Sequence, residues 1–133
     1  MGIEELKERL RSVISQYPFV RLCIVFGSAA SGRLTSQSDL DIAVAAEAPL
    51  PPEDRLELLE SISDATRREV DLIDLNVETG PILKQVLSKG VIVQNADKSL
   101  YAGLISRMLF READMMPYYY RTLRERRERF IHG

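Results

Sequence analysis

The stretch FGSAASGRLTSQSDLDIAV, from Phe26 to Val44, sets a Gly-Ser turn ten residues ahead of two alternating aspartates. Asp39 and Asp41 sit at i and i+2 in a segment that reads as a strand. Side chains two apart on a strand share a face, about 6.5 Å apart at the backbone. Leu40, Ile42 and Val44 then fall on the opposite, apolar face. Two carboxylates on one face raise one another's pKa unless a cation lies between them. A divalent ion answers this, and Mg²⁺ favours one or two carboxylates completed by phosphate oxygens. Two ions about 3.5–4 Å apart would suit in-line attack at phosphorus. Gly27, lacking a Cβ, lets backbone approach a ligand, and Ser28 and the residues after it can offer amides and a hydroxyl to phosphate. The stretch thus specifies a phosphate cradle beside a metal site, which suits a metal–nucleoside triphosphate.

Working outward, the chain alternates helices and strands. Ile3, Leu6, Leu10, Val13 and Ile14 recur at helical spacing up to Pro18. FVRLCIVF (19–26) reads as a strand ended by Gly27, residues 28–38 as a short helical turn or loop, and DLDIAVAA (39–46) as a second strand. A proline-rich connector at 47–52 leads into a helix opened by Glu53 and Asp54, with Leu56, Leu59, Ile62 and Ala65 as its inner face. EVDLIDL (69–75) is a third strand. Thr79 and Pro81 open a further helix that Gly90 closes, and VIVQ (91–94) is a fourth strand. From Ser99 the pattern is helical to the end, with Leu100, Leu104, Met108 and Leu109 on one stripe and a break at Pro117. The expected fold is α/β (α+β): a small mixed sheet flanked by helices, with a catalytic core over 1–97 and a helical segment over 98–133.

The third strand supplies the next acid. Asp71 and Asp74 are three apart and point to opposite faces, so only one can join the site. Asp71, with Ile73 and Leu75 on its own face, is preferred, which leaves Asp74 as a strand-end residue facing solvent.

Composition narrows the classes. The 133 residues carry a net charge of −2, 45% hydrophobic and 29% charged residues, which is the balance of one ordinary globular domain. Bulk charge gives no reason to expect direct nucleic-acid binding. Cys23 is the single cysteine, in an apolar run, which excludes a disulfide framework and fits a core filler in a reducing cytoplasm. No apolar run approaches membrane-spanning length. Leu6 stands where N-myristoylation wants Ser or Thr. A P-loop is excluded because Gly32 is followed by Arg33-Leu34. In the tail, Arg121, Arg124, Arg126, Arg127 and Arg129 alternate with Glu125 and Glu128. They read either as a solvated helix face or as a dock for an acidic partner or RNA. Tyr118, Tyr119 and Tyr120 read as packing residues or self-modification sites, and His132 as inert. Met108, Met115 and Met116 read as core or interface filler.

Gly27-Ser28, ten residues, then Asp39-Leu40-Asp41 resembles the Gly-Ser-x10-Asp-x-Asp signature of the polymerase-β-like nucleotidyltransferases. VRLCIVFGSAASG, SDLDIAV, EVDLIDL and GVIVQNAD follow the order of the minimal nucleotidyltransferases, especially the MntA-type antitoxins, over about residues 20–97. The resemblance implies transfer of AMP from ATP, with Mg²⁺ (two ions) held by Asp39, Asp41 and Asp71, and Asp71 as general base. Gly27, Ser28, Arg33 and Ser38 would bind the nucleotide. It further implies a hetero-oligomer with a HepT-like toxin, a ribonuclease of the HEPN class silenced by adenylylation of a tyrosine. A small-molecule or RNA-end acceptor, or a non-catalytic nucleotide-binding antitoxin, are the alternatives. The family often carries arginine just before the second glycine of the turn. Here Ser31 stands there, and Arg33 would supply the charge.

Overall fold

The computed structural model describes residues 2–78 and 80–111. Four strands, β1 (Leu22–Phe26), β2 (Leu40–Ala45), β3 (Val70–Asp74) and β4 (Val91–Asn95), form one sheet in the order β3-β2-β1-β4. The pairs β1–β2 and β1–β4 are antiparallel, and β2–β3 is parallel. A parallel neighbour needs a crossover, and α2 (Pro52–Thr66) provides it. The mixed α/β sheet expected from the sequence is therefore the one formed.

Strand alternation splits the core into two layers. Cys23, Val25, Leu40, Ile42, Val44 and Leu72 face α1 (Ile3–Ile14) and α2, where Leu6, Leu10, Leu58 and Ile62 close the layer. Leu22, Ile24, Ala43, Ala45, Ile73 and Leu75 face the other way, against Leu83 and Val86 of α3 (Pro81–Lys89) and Leu104. Leu104 belongs to a helix that begins at 98 and runs through 111, with Leu100 and Met108 packed on the same layer. Cys23 is fully buried, and burial pushes its thiol up to about 12, so it stays an inert filler. Among the described residues no helix is long and apolar enough to cross a membrane.

Three expectations need correction. Leu56 and Leu109 are exposed, not inward-facing. On α2 the inner stripe runs through Leu58, Ile62 and Thr66, with Leu59 and Ala65 packed beside it, because this is the face that packs against α1 and the sheet. Asp74 does not face solvent: it is only 3% exposed. Its carboxylate accepts the Leu50 amide at 2.8 Å and the Asn76 amide at 2.9 Å, tying the proline-rich connector to the end of β3. Asp74→Ala would strand both donors, so a loss of about 2 kcal/mol is expected. Urea unfolding should show a lower midpoint with an unchanged slope. Thr79, Met115, Met116, Pro117, the three tyrosines, the tail arginines and His132 lie outside the described residues.

Candidate active site

The site forms where β1 ends and β2 and β3 begin. The register sets Phe26 beside Asp41 and Asp41 beside Asp71, so three neighbouring strands deliver their residues to one sheet edge. Asp41 and Asp71 lie on the face that carries Ala43, Ala45, Ile73 and Leu75. Asp39 precedes the first residue of β2 and is exposed, so only Asp41 of this pair lies within the strand, and it is half-buried. Asp71 is exposed. Asp41 is held above its ordinary carboxylate pKa, first by burial, then by the charge of Asp71 and then by that of Asp39. The charges of Asp71 and Asp39 thus both bear on Asp41, the central acid. Asp74, on the opposite face, takes no part.

Gly27 closes β1 with φ +69, a left-handed conformation that side chains disfavour. A Cβ there would collide with the carboxylate of Asp41. The glycine thus lets the turn lie directly against the central acid. Past it the chain folds back: the Ser31 amide donates to the Gly27 carbonyl (3.2 Å) and the Arg33 amide to the Ser28 carbonyl (2.9 Å). Among the described residues the amides of Ser28, Ala29 and Ala30 donate to no backbone carbonyl. These consecutive donors are of the kind that receive phosphate oxygens. An apolar hollow of about 210 Å³, lined by Gly2, Ile3, Leu6, Ala29, Gly32 and Leu34, backs the turn.

Arg33 and Ser38 land differently. Arg33 is exposed, and its Nε donates to Ser31 Oγ at 3.0 Å, so the guanidinium lies against the position where the expected arginine is missing. Ser38 Oγ accepts the Thr35 amide at 3.0 Å and lies 3.0 Å from Thr35 Oγ1. Its hydroxyl is engaged in closing the loop. Sequence reading missed Arg68, whose Nη1 donates to the carbonyls of Thr35 (2.6 Å) and Ser38 (3.1 Å). Its place directly before the strand bearing the third acid was the available signal.

The donor set suits Mg²⁺ in a particular way. Among the described residues no group of three or more acid, histidine or cysteine side chains forms a ready-made metal cage. Mg²⁺ is commonly held by one or two carboxylates plus substrate phosphates, and carboxylates beside free amides fit that division of labour. A second hollow, about 330 Å³, lies at the far end of the sheet between Phe19, Arg21, Leu50 and Asp54, away from the acid cluster.

Comparison with known proteins settles the class. The family model described as polymerase beta, nucleotidyltransferase, matches residues 8–99. The chain belongs to the polymerase β nucleotidyltransferase family. The matched span contains the Gly27-Ser28 turn and Asp39, Asp41 and Asp71. The protein adenylyltransferase MntA of Shewanella oneidensis is 36% identical over 73 residues, which take in 55% of this chain and 52% of that protein. The match thus spans about half the length of this relative. Among solved structures, one chain of a toxin–antitoxin complex with AMP-PNP superposes with TM-score 0.69 at 24% identity, covering 88% of this nucleotidyltransferase and 98% of that chain. A chain from the tri-AMPylated Shewanella oneidensis HEPN toxin in complex with its MNT antitoxin gives TM-score 0.65 at 22% identity, covering 91% and 98%. These two likenesses speak for the fold.

Proposed function

We propose that this nucleotidyltransferase moves AMP from ATP onto a tyrosine of a HEPN-type ribonuclease toxin and so neutralises it, as a Mg²⁺-dependent enzymatic antitoxin. The observation that carries the reading is the convergence of Asp41 and Asp71, with Asp39 beside them, on one sheet edge directly against the Gly27-Ser28 turn. The similarity to an adenylyltransferase, and the fold shared with toxin–antitoxin complexes, support the choice of nucleotide and partner.

The residues divide the work. Amides of Ser28, Ala29 and Ala30 and the Ser28 hydroxyl hold the β- and γ-phosphates, and Arg33, laid over Ser31, adds the positive charge. Asp39, Asp41 and Asp71 would hold the ions. Bound Mg²⁺ would supply charge neutralisation for the triphosphate and its departing pyrophosphate. Asp71, the most open of the acids on the strands, takes the tyrosine proton. The phenolate oxygen then bonds to the α-phosphorus, the bond to the β-phosphate oxygen breaks, and pyrophosphate leaves.

The test is direct. The purified protein is incubated with its cognate toxin, Mg²⁺ and each nucleoside triphosphate in turn, and the toxin is weighed intact and mapped. One or more AMP units on a toxin tyrosine, with loss of ribonuclease activity, is the expected outcome. Neutralisation without added mass would instead indicate silencing by contact, and mass on RNA or a small molecule a different acceptor.

A further inference from the structure

We infer that Arg68 is a positioning residue that fixes Asp39 against Asp41 and Asp71, through the loop carbonyls on either side of the turn that delivers it. The inference rests on the reading of the three acids as a cation site.

Asp41 and Asp71 need no such help, because both lie in paired strands at matched register. Asp39 lies outside the ladder. The loop that carries it is exposed at Arg33, Thr35, Ser36 and Gln37, and only Leu34 packs on the core. Burial therefore does little to locate it. What locates it is polar. The Ser38 amide and hydroxyl close a tight turn onto Thr35, which brings the carbonyls of residues 35 and 38 together. Both accept from the same nitrogen of Arg68. The Ser38 carbonyl belongs to the peptide bond joining Ser38 to Asp39, so this contact acts one peptide plane from the acid. On its other side the Leu40 amide donates to the Glu69 carbonyl at 2.9 Å. Asp39 is thus gripped from residues 68 and 69 on both flanks, and the grip comes from the segment that leads directly into the strand carrying Asp71.

Arg68 is itself well anchored. Its carbonyl accepts Ser63 Oγ of α2 at 2.7 Å. Arg67 before it holds φ 54, the left-handed turn that ends α2 and redirects the chain toward β3. Such a turn is disfavoured for a side-chain-bearing residue and persists where the surroundings impose it. Hydrogen bonds from a guanidinium are stronger than neutral ones, which suits a single residue holding an otherwise exposed loop. Groups that orient metal-binding side chains typically change metal affinity by about 10–100-fold when removed.

The test is Mn²⁺ binding to the nucleotide-free full chain, followed by electron paramagnetic resonance, together with amide exchange. Arg68→Met is expected to weaken Mn²⁺ binding about tenfold and to speed exchange across residues 35–40. Arg68→Lys, which keeps a charged donor, should recover most of the affinity. Arg11→Met is the control, since Arg11 makes a comparable contact from α1 to the Val93 carbonyl on β4 (3.0 Å), away from the acids. It should leave Mn²⁺ affinity unchanged. If Arg68→Met binds Mn²⁺ like the unaltered protein, or Lys fails to restore what Met loses, the inference is overturned. If Mn²⁺ binding is indifferent to Asp41→Asn, the cation-site reading itself falls and takes this inference with it.

Discussion

Asp41→Asn is expected to lower nucleotidyl transfer by about 10²–10³-fold or more, while raising the Tm of the metal-free protein. The two effects share one cause. Asp41 is half-buried between two acids, and burial, Asp71 and Asp39, in that order, raise its pKa. The folded protein therefore holds this proton more tightly than the unfolded chain does. In the window between the ordinary aspartate value and the raised one, the native state binds more protons, so stability falls as pH rises through it. Above that window the penalty for an ionised Asp41 is fully present, and asparagine relieves it. Below the ordinary carboxylate range both forms are neutral and the advantage of the variant should vanish. Thermal melts in chelator at about pH 7.5 and pH 3 measure this difference, and a transfer assay with Mg²⁺ measures the other half. An Asn variant that is less stable than the parent at neutral pH would show that Asp41 is compensated by a contact other than a bound cation.

The same electrostatics explains why the sequence was informative at this point. Alternation on β2 and β3 separates Asp41 and Asp71 from Leu40, Ile42 and Leu72, and the folded sheet keeps that separation. The turn at Gly27 was also readable, because a glycine at a strand end permits the left-handed backbone that the chain adopts there. What sequence could not carry was long-range polar closure. Nothing local distinguishes Asp74, which caps a connector twenty-four residues earlier, from a strand-end acid in water. The engagement of both loop carbonyls, at Thr35 and Ser38, by Arg68 depends on the loop meeting the segment ahead of β3, thirty and more residues later. Helix phase failed at Leu56 for a related reason. Apolar spacing allowed two faces of α2, and tertiary contact selected the one through Leu58 and Ile62.

Gly27→Ala should separate the two demands placed on that glycine, and Gly32 supplies the comparison. Both hold left-handed backbone, with φ +69 at Gly27 and +74 at Gly32. A Cβ at Gly32 meets nothing within 4 Å, whereas one at Gly27 runs into the carboxylate of Asp41. Alanine at Gly32 therefore carries only the conformational penalty, about 1–2 kcal/mol. Alanine at Gly27 adds displacement of a half-buried acid, for an expected total of about 3 kcal/mol. Displacing a catalytic group by about 1 Å can cost about 10²-fold in rate, so transfer should fall by at least that much in Gly27→Ala and by far less in Gly32→Ala. The cycle closes in an Asp41→Ala background, where the obstructing carboxylate is gone. There the stability cost of Gly27→Ala should shrink to that of Gly32→Ala, a coupling read from denaturant unfolding of the four proteins. Equal costs at the two glycines in the parent background would mean that the turn does not lie on Asp41, and the cradle-and-acid geometry would have to be abandoned.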